Sequence, residues 1–260
     1  MKKIWLIGGT RDSVTIAESI VSERLTCLVT VTTENAKTLY PISSYLTIKI
    51  GTLNPGQIRL LCQQEKIIAI VDASHPYAVQ ISRQVITVSK ENCIPYLRYE
   101  RVSLPPSPEI ITLDNFDTLI KGNYLQGERT LLTIGYKALP LFKVWQGRAV
   151  LFARVLPKIE SLEVAIKAGF SNDHLIALRP PISAELEQAL WQQWNISLVV
   201  TKASGRQGGE LIKRLVATEL GVKIIIIKRP LVSYPQQTDK LSDIIRFCRQ
   251  YFYILGMSKI

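Results

Sequence analysis

The sequence lacks any apolar run approaching the roughly 20 residues that a membrane-spanning helix needs. Its longest uninterrupted apolar stretches, at residues 67–71 and 224–227, are strand-sized and bounded by charge. The opening Met1-Lys2-Lys3, followed by four apolar residues and Gly8-Gly9, is too short for a secretory leader, and Arg11, Asp12 and Glu18 follow at once. The chain is therefore expected to be mature and cytoplasmic. Cysteine is scarce, with 4 residues, and no C-x-x-C occurs. Cys27, Cys62, Cys93 and Cys248 lie far apart with no histidine beside them, which excludes the common zinc and redox motifs. No metal site is expected. Histidine occurs only twice. G-x-S-x-G and H-E-x-x-H are both missing, so the hydrolase elbow and zincin chemistries fall away. There is no solenoid repeat and no low-complexity tract.

What is present is an ordinary core and an unbalanced charge. Hydrophobic residues make up 47% of the 260 positions and charged residues 20%, too few for a disordered chain. Thirty-two Lys and Arg face 21 Asp and Glu, a net charge of +11. A surplus of this size favours an anionic partner. The cations are dispersed, with no run of five, so a basic nucleic-acid tail is absent, although a folded basic patch stays open.

Short β-branched runs alternate with amphipathic segments. Strands are expected at 3–7, 28–31, 46–50, 67–71 and 96–98, with helices near 14–24, 56–66 and 79–92. Strands at 130–134, 149–154, 175–178, 198–201 and 223–227 follow, with helices near 138–145, 159–168, 183–194, 209–220 and 239–251. Repeated β-α-β units predict an α/β fold with mostly parallel sheets. Between the halves, Pro105, Pro106 and Pro108 forbid a helix interior or a central strand. The expected division is residues 1–102, a proline-rich linker at 103–112, and 113–260, with a ligand cleft flanked by the two domains. In open α/β sheets ligands gather beyond the carboxyl ends of the strands, so the residues after each strand are the candidates.

Five segments qualify. Gly8-Gly9-Thr10-Arg11-Asp12-Ser13 joins strand to helix at the start of a βαβ unit. Glycines there admit a phosphate to a helix N-terminus; the plain alternative is a tight turn with a capping side chain. It is not G-x-G-x-x-G. Thr32, Thr33 and Glu34 end the second strand, where an adenosine ribose would be read, and they send mixed signals about its 2′ position. Asp72-Ala73-Ser74-His75-Pro76-Tyr77 clusters an acid, a hydroxyl, an imidazole and a phenol after a central strand. His75 there could donate to a ligand oxygen, or simply bond the backbone while Pro76 opens a helix. Gly135-Tyr136-Lys137 is either a cleft-facing turn or a glycine turn with a solvated lysine. Lys202 to Gly209, with Ser204, Gly205 and Arg206, combines three glycines and two cations at a strand-to-helix turn. That is an anion cradle, against the alternative of a mobile surface loop. Arg98, Arg101, Arg154 and Lys158 also lie near strand ends and suit carboxylates. Tyr45 and Lys49 reproduce a Y-x-x-x-K spacing, but within a strand and too early in the chain, so the match is chance.

Taken in order, these segments resemble the precorrin-6A reductases of corrin biosynthesis. The resemblance rests on Gly8-Gly9-Thr10, Asp72 to Ala78 (DASHPYA), Tyr96 to Arg101 (YLRYER), Gly135 to Leu139 (GYKAL), Arg154 to Pro157 (RVLP), Thr201 to Gly205 (TKASG), Gly208-Gly209 and Arg229-Pro230. Order and spacing agree from about residue 3 to residue 235. The family's glutamate two residues after the threonine is replaced here by Asp12. The resemblance implies two Rossmann-like α/β domains with NADPH or NADH in the cleft between them. It implies hydride transfer to the macrocycle of precorrin-6A or its cobalt complex, with C19 reduced and C18 protonated. The substrate is then an anionic tetrapyrrole rich in carboxylates, which gives the positive charge a purpose. Corrin-pathway methyltransferases are the expected neighbours, and neither nucleic acid nor membrane is expected as a partner.

On this resemblance Gly8, Gly9, Thr10 and Asp12 would hold the dinucleotide, with Thr32 and Thr33 at the ribose and Ser74 beside the nicotinamide. His75 and Tyr136 are the catalytic candidates. Arg98, Arg101, Lys137, Lys202, Ser204, Gly205 and Arg206 would bind the substrate. The rival readings are another dinucleotide-dependent α/β enzyme for an anionic small molecule, and a basic nucleic-acid-binding module.

Overall fold

The structure is a computed structural model that describes residues 1–257. It contains two parallel six-stranded sheets. The chain separates into one unit formed by Met1–Val102 together with the segment from Leu231 onward, and a second unit, Ser103–Pro230.

In the first unit the order is β1 (Lys3–Ile7), α1 (Arg11–Ser22), β2 (Cys27–Val31), the short α2 (Glu34–Lys37), β3 (Leu46–Ile50), α3 (Pro55–Gln64), β4 (Ile67–Asp72), α4 (Val79–Glu91) and β5 (Tyr96–Tyr99). The second unit runs through β6 (Ile110–Leu113), α5 (Phe116–Lys121), β7 (Arg129–Leu132), a 3-10 helix (Tyr136–Trp145) and β8 (Val150–Val155). It continues with α6 (Ile159–Lys167), β9 (Leu175–Ala177), α7 (Ala184–Gln193), β10 (Leu198–Lys202), α8 (Glu210–Leu220) and β11 (Lys223–Ile227). β12 (Gln237–Thr238) and α9 (Leu241–Met257) then complete the first unit.

The sheets share one plan. The first has strand order β12-β5-β4-β1-β2-β3 and the second β6-β11-β10-β7-β8-β9. Each changes direction beside its first central strand, between β4 and β1 or between β10 and β7. The central strands are buried on both faces, as in β2, where Cys27 to Val31 are all buried, and so they read as continuous apolar runs rather than alternating ones. The first core sets Ile4, Leu6, Val29 and Val71 against Ile16 and Ile20 of α1 and Ile244 and Phe247 of α9. The second sets Leu132, Ala153 and Val200 against Leu139, Phe142 and Trp145 of the 3-10 helix.

Three expectations change. Residues 103–112 are not linker throughout, because Ile110–Leu113 forms β6, pairing in parallel with β11. Its proline-rich approach is tolerated because β6 is an edge strand. The segment after Leu231 does not belong with the second half. Gln237 and Thr238 pair with Arg98 and Tyr99, and Ile244, Phe247 and Cys248 enter the core of the first sheet. The segment 138–145 is a 3-10 helix rather than an α-helix, with Pro140 inside it; proline removes an N–H that an α-helix would use.

Candidate active site

In the first unit the direction change lies between β1 and β4, where Ile7 and Asp72 are register partners. The loops that leave these two residues are therefore neighbours. Thr10 Oγ1 donates to the carbonyl of Ala73 at 2.9 Å and ties them together. Thr10 is also the N-cap of α1, in a capping box with Ser13. Gly9 has φ +97°, and a Cβ built there would meet nothing within 4 Å. The loop thus leaves an open face over the first turn of α1, whose leading N–H groups have no partner inside the helix. Those features fit a dinucleotide phosphate.

Gly8 has a different reason to be glycine. A Cβ there would fall 2.2 Å from Tyr40 Oη and 2.9 Å from Val29 Cγ1. Tyr40 is buried, accepts the Gly9 N–H at 2.9 Å and lies 2.6 Å from Ser13 Oγ. Sequence reading missed it, since nothing local marks a tyrosine nine residues past a strand as the floor of another loop.

Thr33 is the N-cap of α2 and its Oγ1 accepts the Ala36 N–H. Thr32 beside it is exposed. Asp12 and Arg101, assigned above to different ligands, are paired with each other at 2.6 Å and both are largely buried. The pair fixes the first turn of α1 to the chain leaving β5.

Beneath the loop after β4 lies a buried polar cluster. Asp72 Oδ1 accepts the Ser74 N–H at 3.0 Å and faces Arg98 Nη1 at 2.9 Å. Its Oδ2 accepts the hydroxyls of Ser82 and Tyr96, each at 2.6 Å. Arg98 also donates to Ser74 Oγ at 3.1 Å and pairs with Glu100 at 2.9 Å. Burial pushes the Asp72 carboxyl up, but Arg98 and the surrounding hydroxyls outweigh it and hold the group below the usual range. Arg98, expected at the substrate, has its side chain 1% exposed and engaged by Asp72 and Glu100. His75 is exposed, and its Nδ1 accepts the Tyr77 N–H at 3.2 Å.

In the second unit the corresponding change lies between β7 and β10, where Leu132 and Val200 are partners. The loops bearing Gly135-Tyr136-Lys137 and Lys202 to Gly209 are therefore adjacent. Tyr136 donates its hydroxyl to Glu160 at 2.8 Å. Burial and that carboxylate push its phenol up to about 12, which makes it a poor acid. Lys202 lies 5.7 Å from the ring centroid of Phe116. Burial, and then the charge of Lys137, pull it down to about 8.

The glycine loop is built rather than loose. Gly205 sits at φ 71° and ψ −173°, a region that side chains avoid. Its N–H donates to Glu210 at 2.8 Å, and Ser204 Oγ donates to the Gly208 carbonyl at 3.1 Å. Arg206 is exposed at the rim. Lys213 donates to the Gly209 carbonyl at 3.1 Å. Behind it Arg154 makes two bonds to Glu187, at 2.7 and 2.8 Å, and the Trp191 indole adds a third at 3.0 Å. Sequence reading noted Arg154, took Glu187 only as a first-turn acid suited to the helix dipole, and missed Glu210 and Lys213, which lie within a helix pattern.

Among the described residues no helix is long and apolar enough to cross a membrane, and no cluster of His, Cys, Asp and Glu could hold a metal ion.

Residues 3–249 match the family described as Precorrin-6x reductase CbiJ/CobK. A cobalt-precorrin-6A reductase from Synechocystis sp. is 49% identical over 251 residues, covering 95% of this chain and 96% of the relative. A cobalt-precorrin-6A reductase from Priestia megaterium is 32% identical, covering 89% and 92%. Among solved structures, that of the CobK precorrin-6A reductase superposes with a TM-score of 0.78 at 18% identity, covering 96% of this chain and 97% of the other, a likeness of fold.

Proposed function

Because this chain belongs to the precorrin-6x reductase (CbiJ/CobK) family, we propose a division of labour in which the first unit holds the nicotinamide cofactor and the second offers its anion cradle to the tetrapyrrole. The protein is an oxidoreductase of cobalamin biosynthesis that reduces a macrocycle double bond of the precorrin-6A type and uses a nicotinamide cofactor. The cobalt-bearing ring is the form proposed as substrate, because both relatives named above act on it. The cofactor is NADPH or NADH.

The observation that carries the cofactor reading is the open face over Gly9, beside the first turn of α1 and joined to the loop after β4 through Thr10. When bound, the cofactor supplies the hydride, and the protein supplies alignment and exclusion of water. Gly9 and the first N–H groups of α1 meet phosphate. Thr32 and Thr33 stand at the ribose. Ser74, held by Asp72 and Arg98, and the exposed His75 border the nicotinamide. Lys137, Lys202, Ser204, Gly205 and Arg206 meet ring carboxylates, with Arg101 shaping the pocket through Asp12. His75 is the better-placed candidate for positioning a proton, since the Tyr136 hydroxyl is bound to Glu160. Corrin methyltransferases are proposed as the neighbours that exchange ring intermediates with the enzyme.

A thermal-shift titration with NADPH and with NADH tests this assignment. A saturable rise in Tm with at least one of them is expected, and the larger rise identifies the preferred ribose. No shift with either would remove the first unit from the cofactor role.

A further inference from the structure

We propose that Tyr40 is a positioning residue for the cofactor loop, acting through its hydroxyl to set the path of Gly8 to Ser13. This rests on the reading that the loop holds the dinucleotide.

Tyr40 is 6% exposed, and its ring packs with the core of the first sheet. Its Oη approaches Gly8 so closely that any side chain there would collide with it, at 2.2 Å. Ser13 donates its single hydroxyl proton to the Thr10 carbonyl at 2.6 Å and accepts the Thr10 N–H at 3.0 Å. The Tyr40–Ser13 contact at 2.6 Å therefore takes its proton from Tyr40. The same oxygen accepts the Gly9 N–H at 2.9 Å. One phenol thus spends its donor on α1 and its acceptor on the glycine turn. Removing it takes from the part-buried Gly9 N–H its side-chain partner and from the buried Ser13 hydroxyl one of its three bonds.

Tyr40 also reaches this loop from the far side of α2. The segment that carries Thr32 and Thr33 and the loop that carries Gly9 are joined by it. A change at Tyr40 is then felt at the phosphate and the ribose of the dinucleotide and not at the ring substrate.

Y40F keeps the ring and deletes the hydroxyl. It is expected to raise KM for the nicotinamide cofactor about 3-fold to 10-fold, the loss typical of one or two hydrogen bonds, with kcat and the tetrapyrrole KM within about twofold. A merely structural role would lower Tm and the active fraction and leave both KM values alone. S13A is the second variant. It keeps Tyr40 whole, removes its acceptor and is expected to show the same cofactor-selective rise, so the test stands even where Y40F does not fold. An unchanged cofactor KM in a folded Y40F or S13A overturns the inference while the loop assignment survives. A wild-type protein whose Tm responds to neither NADPH nor NADH overturns both together.

Discussion

Arg98 and Asp72 face each other at 2.9 Å, with side chains 1% and 0% exposed. Register places them as partners on β5 and β4. Every oxygen of the carboxylate is engaged, by Ser74, Ser82, Tyr96 and Arg98. A buried pair of this kind stabilises little relative to an apolar pair, but removing one partner leaves the other charge uncompensated.

Arg98→Met should therefore cost about 3–5 kcal/mol of stability, read as a fall in the urea midpoint at unchanged m-value. The tetrapyrrole KM of the remaining folded protein should change little. Full stability with a raised substrate KM would return Arg98 to the substrate.

Acid sensitivity follows from the same pair. The folded-state pKa of Asp72 lies below its ordinary value, so its contribution is fully present above about pH 4, the unfolded value. That contribution is lost as pH falls through the lower folded value. The slope of unfolding free energy against pH below about pH 4 should be steeper in the wild type than in Asp72→Asn. Equal slopes would show that Asp72 is not depressed.

Lys202 gives a prediction at the other end of the scale. Its pKa in the free protein is about 8, so its charge is present below pH 8 and lost above it. If it meets a ring carboxylate, kcat/KM for the tetrapyrrole falls as pH passes through 8, and Lys202→Met flattens that limb. Lys213 is also drawn down to about 8, by burial and then by Arg154, and the Lys202 variant separates the two. A limb that survives in Lys202→Met contradicts the assignment.

Gly205→Ala probes the cradle. Its φ of 71° with ψ near 180° carries a penalty of about 1–3 kcal/mol for any other residue, and relief of that strain would pull the N–H away from Glu210. The tetrapyrrole KM should rise while the cofactor-induced Tm shift stays at the wild-type value. A normal substrate KM would leave the loop without a binding role.

Much of this was legible because parallel strands announce themselves. Lys3–Ile7, Leu46–Ile50 and Lys223–Ile227 stand where their β-branched runs and flanking punctuation put them. The loops after β1, β4, β7 and β10 stood out because glycine and hydroxyl residues follow apolar runs directly. The hidden parts depend on partners distant in sequence. β12 spans only Gln237 and Thr238, too few for a periodic signal, and β6 lies directly after the prolines. Gly8 reads locally as room for a phosphate, whereas its space is taken by Tyr40. Arg98 reads as a strand-end cation, and only the register of β4 against β5 shows the carboxylate waiting for it.

The most direct test of the central claim is a single-turnover reaction of the purified protein with cobalt-precorrin-6A and reduced nicotinamide cofactor. The account predicts loss of the reduced-nicotinamide absorbance in step with a ring product heavier by two hydrogen atoms. A stable absorbance with both NADPH and NADH, and with the ring either metallated or metal-free, would contradict it.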